Sequence, residues 1–183
     1  MSAADYPRVA VKTAAEWRRW LREHHDTEPG AWLVSYRRTT GKPAVKYDDA
    51  VREALCYGWI DSVVKPLDDE RTISLYTPRR AASGWSRSNK ERLKELVAEG
   101  RMSAAGLAKV AAAKNDGSWT LLDSVEALAV PPDLKKALGA AGRTRFDALS
   151  TSKKREHLSA LVTGKRPETR AKRVADVVRS LKP

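Results

Sequence analysis

Tyr57-Gly58-Trp59-Ile60-Asp61-Ser62-Val63-Val64-Lys65-Pro66-Leu67-Asp68-Asp69-Glu70-Arg71-Thr72-Ile73-Ser74-Leu75-Tyr76-Thr77 is the stretch on which the fold turns. Gly58 suits the left-handed exit from a preceding helix. Trp59 to Val64 is rich in aromatic and β-branched side chains and reads as a strand. Lys65 to Asp69 reads as a turn and Arg71 to Thr77 as the returning strand. Two extended runs so closely joined imply an antiparallel hairpin. Alternation along the first strand puts Trp59 and Asp61 on one face and Ile60 on the other.

Upstream, Asp48 to Cys56 reads as a helix. Asp48 and Asp49 favour its positive end, and Val51, Ala54 and Leu55 form its buried stripe. Thr39 to Pro43 is a turn, and Ala31 to Arg37 a strand. Thr13-Ala14-Ala15-Glu16 is a capping box that opens a helix carrying Trp17, Trp20, Leu21 and His24, and Glu28-Pro29-Gly30 stops it. Residues 1 to 12 read as a loose lead-in. Downstream, Ser88-Asn89-Lys90-Glu91 is a second capping box, ahead of Leu93, Leu96 and Val97. Ser103 caps a further helix to about Lys114, and Asn115-Asp116-Gly117 ends it. Ala127 to Pro132 is a plausible boundary, since two adjacent prolines interrupt a helix. Short helices follow: Asp133 to Leu138, Phe146 to Leu149, Ser152 to Val162 and Pro167 to Leu181. The expected class is therefore α+β: a small antiparallel sheet covered by helices over residues 1–126, then a basic helical module over 127–183.

The chain has 183 residues, 42% hydrophobic and 32% charged, enough for a core without staples. Its single cysteine, Cys56, excludes an internal disulfide framework and fits a reducing cytoplasm. No apolar run is long enough to span a membrane. Met1 to Lys12 lacks a charged start followed by an apolar run, so a secretory signal is not expected. Net charge is +12, and from Arg143 to Lys182 twelve Lys and Arg face four Asp and Glu. Such a tail attracts anions, or else serves solubility alone.

The mixture of Trp59, Asp61, Arg71, Tyr76, Arg79, Arg80, Trp85, Ser86 and Asn89 suits a half-buried polar site walled by aromatics. Arg79 and Arg80 precede a helix start, where free N–H groups and the dipole favour negative charge. On the plainer alternative Ser88 only caps, the arginines only form ion pairs, and Trp85 anchors a core. Asp61 is either a carboxylate partner for Arg71, Arg79 or Arg80, or a general base in an apolar setting. Cys56 reads as a small buried side chain. His24, His25 and His157 lie in no metal-binding spacing, and no metal or cofactor is implied. The basic residues Lys153, Lys154, Arg155, Lys165, Arg166, Arg170 and Arg173 are a candidate nonspecific nucleic-acid surface.

Several of these residues fall into a wider pattern. It comprises Tyr47-Asp48-Asp49-Ala50-Val51, Ala54-Leu55-Cys56-Tyr57-Gly58-Trp59-Ile60-Asp61, Tyr76-Thr77-Pro78-Arg79-Arg80, Ser83, Trp85-Ser86 and Asn89. It continues through Gly100-Arg101-Met102, Gly106-Leu107, Asp116-Gly117-Ser118-Trp119 and Val130-Pro131-Pro132-Asp133-Leu134. Phe146-Asp147-Ala148-Leu149, Glu168-Thr169-Arg170 and Arg173 complete it. In these motifs the chain resembles the bacterial YdeI/OmpD-associated family, also called OmdA or bacteriocin-protection proteins, from Trp17 onward. The resemblance implies an association with tolerance to bacteriocins or antimicrobial peptides, and it transfers no catalytic residue.

The resulting expectation is a cytoplasmic, non-enzymatic protein that holds an anionic, phosphate-bearing small molecule. Its cleft would comprise Trp59, Asp61, Arg79, Arg80, Trp85, Ser86 and Asn89. Two alternatives stand beside it: nonspecific nucleic-acid binding by the basic helices, and an enzyme with Asp61 as base. Oligomeric state is not legible.

Overall fold

A computed structural model describes residues 2–164 and 166–182. The chain forms two compact units. The first comprises Met1–Ser83 and Ser88–Asp116, the second Gly84–Arg87 and Gly117–Pro183.

The first unit is α+β. Its strands are β1 (Arg8–Ala10), β2 (Ala31–Tyr36), β3 (Trp59–Pro66) and β4 (Arg71–Pro78), in the order β1-β2-β4-β3. β3 and β4 form the expected antiparallel hairpin, with Trp59 opposite Pro78 and Asp61 opposite Tyr76. Asp68 fixes the turn: its carboxylate accepts the N–H groups of Glu70 and Arg71 at 3.1 and 2.8 Å and pairs with the Arg71 guanidinium at 2.6 Å. The register slips between Asp61 and Val64. A bulge followed by Lys65 and Pro66 discourages edge-to-edge pairing along exposed β3.

The lead-in is more ordered than its sequence suggests. β1 lies parallel to β2, with Val9 beside Leu33, so the sheet is mixed and not purely antiparallel. Only Val9 of its three residues is buried, which leaves no alternation to read.

Helix α1 (Ala14–His24) buries Trp17 and Leu21 and half-buries Trp20 and His24, and helix α2 (Tyr47–Cys56) buries Val51, Ala54 and Leu55 as expected, with Ala50 beside them. Thr13 caps α1 through the Glu16 N–H at 3.2 Å. Glu16 reaches back one residue past the cap, accepting from the Lys12 N–H at 2.7 Å. Aromatic rings tie these elements together. Trp17 stacks on Trp20 at 5.2 Å and meets the Tyr76 ring edge-on at 5.3 Å, while Trp20 meets Trp59 at 5.9 Å. On the opposite sheet face Trp32, Val34 and Ile73 make a small cluster with Tyr6, Leu67 and Leu75.

Helix α3 (Arg87–Ala98) starts two residues earlier than its capping box implies, so Ser88 lies inside the first turn and not at the cap. Helix α4 (Ala104–Asn115) is capped by Ser103 as expected, at 3.2 Å from the Gly106 N–H. The Ser103 hydroxyl and N–H also donate to the Cys56 carbonyl at 2.7 and 3.0 Å. A Cβ on Gly106 would collide with that same carbonyl, so only glycine permits this approach of α4 to the end of α2.

The second unit is helical: α5 (Asp123–Glu126), α6 (Pro132–Asp147), α7 (Thr151–Val162) and α8 (Pro167–Ser180). Pro132 and Pro167 occupy helix first turns, where a missing N–H costs nothing. The helix expected at 133–138 and the first two residues of the one expected at 146–149 lie in one element, interrupted at Gly139 (φ 59°, ψ −171°); Ala148 caps its end and Leu149 lies beyond it. Val125, Leu134, Leu138, Phe146, Leu158, Leu161, Val174, Val177 and Leu181 form the core. No helix among the described residues is long and apolar enough to cross a membrane.

His157 sits against Phe146, with ring centroids 6.4 Å apart. Burial and the Lys153 charge hold its imidazole below the ordinary value, against a smaller opposing effect of Glu156. The folded state thus takes up this proton less readily than the unfolded chain, so stability falls as pH drops below about 6.5. Chemical denaturation at pH 7.5 and pH 5.5 should show this loss, and His157→Phe should flatten it. An equal loss in the variant would place the sensitivity elsewhere.

Candidate functional site

A polar cluster forms in the first unit where the start of α2, the early part of β3, the end of β4 and α3 meet. The hairpin register sets Asp61 opposite Tyr76. Tyr47, the first residue of α2, donates its hydroxyl to Asp61 Oδ2 at 2.7 Å. Partial burial of the hydroxyl end, reinforced by that bond, pushes the Tyr47 phenol up to about 12, although the residue is 56% exposed. Tyr76 is fully buried, and desolvation, aided by the Asp61 charge, raises its phenol well above the usual range.

Arg79 follows directly on β4 and is only 5% exposed. Burial lowers its guanidinium to about 10, while the negative charge of Asp61 acts in the opposite sense. Arg92 on α3 closes the cluster. Its Nε and Nη2 donate to Asp48 Oδ1 at 2.8 and 2.7 Å, and its Nη1 to Asn89 Oδ1 at 2.9 Å. The arrangement holds one carboxylate between phenols and a buried cation, a setting that favours binding of charge.

The sequence-derived candidates are distributed as follows. Asp61, Arg79 and Asn89 belong to this cluster. Trp59 is buried in the core at 1% exposure, with its indole N–H on the His25 carbonyl at 3.0 Å. Arg80 is exposed at the surface. Trp85 and Ser86 belong to the second unit, where Trp85 packs on Trp119 with centroids 5.3 Å apart. Arg71 is spent on Asp68. Tyr76 belonged to the polar mixture read from the sequence but not to the expected cleft, and Tyr47 and Arg92 join the cluster without having been assigned to it. Arg92 left a local signal, since it lies about one helical turn beyond Asn89.

The basic residues of the second unit are largely engaged. Lys153 pairs with Glu156 at 2.9 Å, Arg155 with Glu126 at 3.0 Å and Arg170 with Asp133 at 2.6 Å. Lys154 donates to the Asp147 carbonyl at 2.6 Å, and Arg173 to the Ala160 carbonyl and the Thr163 hydroxyl. Arg166 is exposed, and Lys165 lies outside the described residues.

Cys56 is buried beside Arg18, and burial pushes its thiol up, away from the reactive thiolate form. Nearby Glu53 is buried between two guanidinium groups, Arg18 at 2.8 Å and Arg101.

Residues 9–109, more than half of the chain, match the model of a family described as a domain of unknown function, DUF8412. The chain belongs to the DUF8412 family. Within this DUF8412 protein, residues 127–182 match the OmdA model, described as bacteriocin-protection, YdeI or OmpD-associated. The likeness read from Trp17 onward thus divides between two family models, with the OmdA domain in the helical region. The OmdA domain associates the DUF8412 protein with bacteriocin protection. No curated protein and no solved structure matches the chain.

Proposed function

We propose that this DUF8412 protein is a non-enzymatic cytoplasmic binding protein for an anionic, phosphate-bearing small molecule, acting in bacteriocin or antimicrobial-peptide resistance. The observation that carries the reading is the buried Arg79 guanidinium set beside Asp61 in a cluster of phenols and arginines. Arg79 supplies the charge for the ligand, Asp61 orients the cation, and Asn89 is steadied by Arg92. Arg80 completes the candidate ligand set within the first unit, and Trp59 backs it from the core. Catalysis by Asp61 is the weaker reading, because Tyr47 already donates to the oxygen a base would use. Nucleic-acid binding is weaker too, because carboxylates and carbonyls already hold most of the basic side chains proposed for it.

Isothermal calorimetry of the intact protein against phosphorylated metabolites and nucleotides tests the reading. A ligand of this site should lose about tenfold or more in affinity in Arg79→Met, the scale of one charge-assisted hydrogen bond. Thermal melts of the variant separate lost binding from lost folding. Uniform silence across the panel, or full affinity in a folded Arg79→Met protein, removes the proposal.

A further inference from the structure

The loop between β2 and α2 encloses a cavity of about 630 Å³ lined by Tyr36, Arg38, Lys42, Val45, Lys46 and Tyr47, among others. That volume falls within the range of small-molecule sites. None of the residues earlier assigned to an anion site lines it. Its three cations differ in availability. Lys42 is paired with Glu70 at 2.7 Å and lies 5.0 Å from the centre of the Tyr36 ring. Arg38 and Lys46 pair with no carboxylate among the described residues. Asp48, the nearest acid along the chain on α2, is turned to Arg92.

Tyr47 stands at the rim of this cavity. An exposed tyrosine ordinarily samples several rotamers, and ordering it on binding costs free energy. Here the residue is more than half exposed, yet its hydroxyl is anchored on Asp61 at 2.7 Å. The side chain is therefore a pre-oriented aromatic surface at the rim of a basic cavity. Aromatic platforms beside uncommitted cations suit a planar base carrying a phosphate.

We infer that this cavity binds a nucleoside monophosphate, with the base against Tyr47 and the phosphate taken by Arg38 and Lys46. It is a site separate from Arg79, and Tyr47 reaches from its rim toward that cluster through the hydrogen bond to Asp61. The probes are AMP, adenosine, inorganic phosphate and a short single-stranded oligonucleotide, titrated calorimetrically into the full chain. AMP should bind more tightly than adenosine or phosphate alone. Tyr47→Ala should weaken it at least fivefold, the lower end of a base–aromatic stack. The double variant Arg38→Ala/Lys46→Ala changes exposed side chains outside the Asp61 cluster and should weaken AMP by a similar factor or more.

Arg79→Met should leave AMP binding intact, which distinguishes failure of this site from failure of the one above. No AMP binding up to about 1 mM overturns the inference. So does AMP affinity unchanged in the Arg38/Lys46 double variant, or binding of the oligonucleotide alone.

Discussion

Trp17→Ala lowers the stability of the sheet-bearing unit by about 3–5 kcal/mol, the range for removing a large aromatic from a packed core. Trp17 is 0% exposed. It stacks on Trp20, meets Tyr76 edge-on, and donates its indole N–H to the Ala50 carbonyl at 3.1 Å. One substitution thus removes a helix-to-helix hydrogen bond and the ring on which three elements converge. Trp17→Phe keeps most of the ring area and should cost about half as much, since it loses one hydrogen bond and part of the volume. Urea unfolding followed by circular dichroism reads both. A shift below about 1 kcal/mol for the alanine variant would show that the aromatic cluster does not hold these elements together.

Glu53→Ala is the second large effect. The Glu53 side chain is 5% exposed, and its two carboxylate oxygens are taken by Arg18 and Arg101. Arg18 also donates to the Arg101 carbonyl at 2.8 Å, so the residues lock α1, α2 and the segment before α4. The network runs outward through Glu99 to Arg52 at 3.2 and 3.0 Å. Without Glu53 two guanidinium groups lose their common partner. Both are about a third exposed and regain water, which tempers the loss. The expected cost is about 2–3 kcal/mol, near that of two charge-assisted bonds partly repaid by hydration. Removing both Arg18 and Arg101 should cost more, because it strands a buried carboxylate. If the Glu53→Ala midpoint in denaturant matched the parent, the triad would be contributing no net stability.

The α+β class was legible because its signals are local. Gly58 does adopt φ +74° at the exit of α2, and the spacing of Trp59 to Thr77 does make a hairpin. Thr13 and Ser103 cap the helices they precede. What escaped was set by contacts distant in the chain. β1 exists because Val9 finds Leu33, which three residues cannot announce. Gly139 does interrupt the helix, as the gap between the two expected short helices implies, but the chain from Ala140 to Phe146 is helical and not a turn, with Leu138 and Phe146 in one core. The hydrogen-bond partner of Asp61 was sought among arginines, whereas Tyr47 meets it from fourteen positions away, through the docking of α2 on β3. The residue types of the site could be read from sequence, but not which of them would share a neighbourhood.

Trp85 has one more implication, for anyone who would divide the molecule. It reaches its neighbour Trp119 from a four-residue excursion of the chain, Gly84–Arg87, that leaves the first unit and returns to it. A fragment begun at residue 127, where the OmdA match starts, would discard both indoles along with Leu122 and Val125, which pack in and against the helical core. Scissors placed at that border would yield a piece with part of its lining stripped away. The helical half is better expressed with its borrowed tetrapeptide still attached.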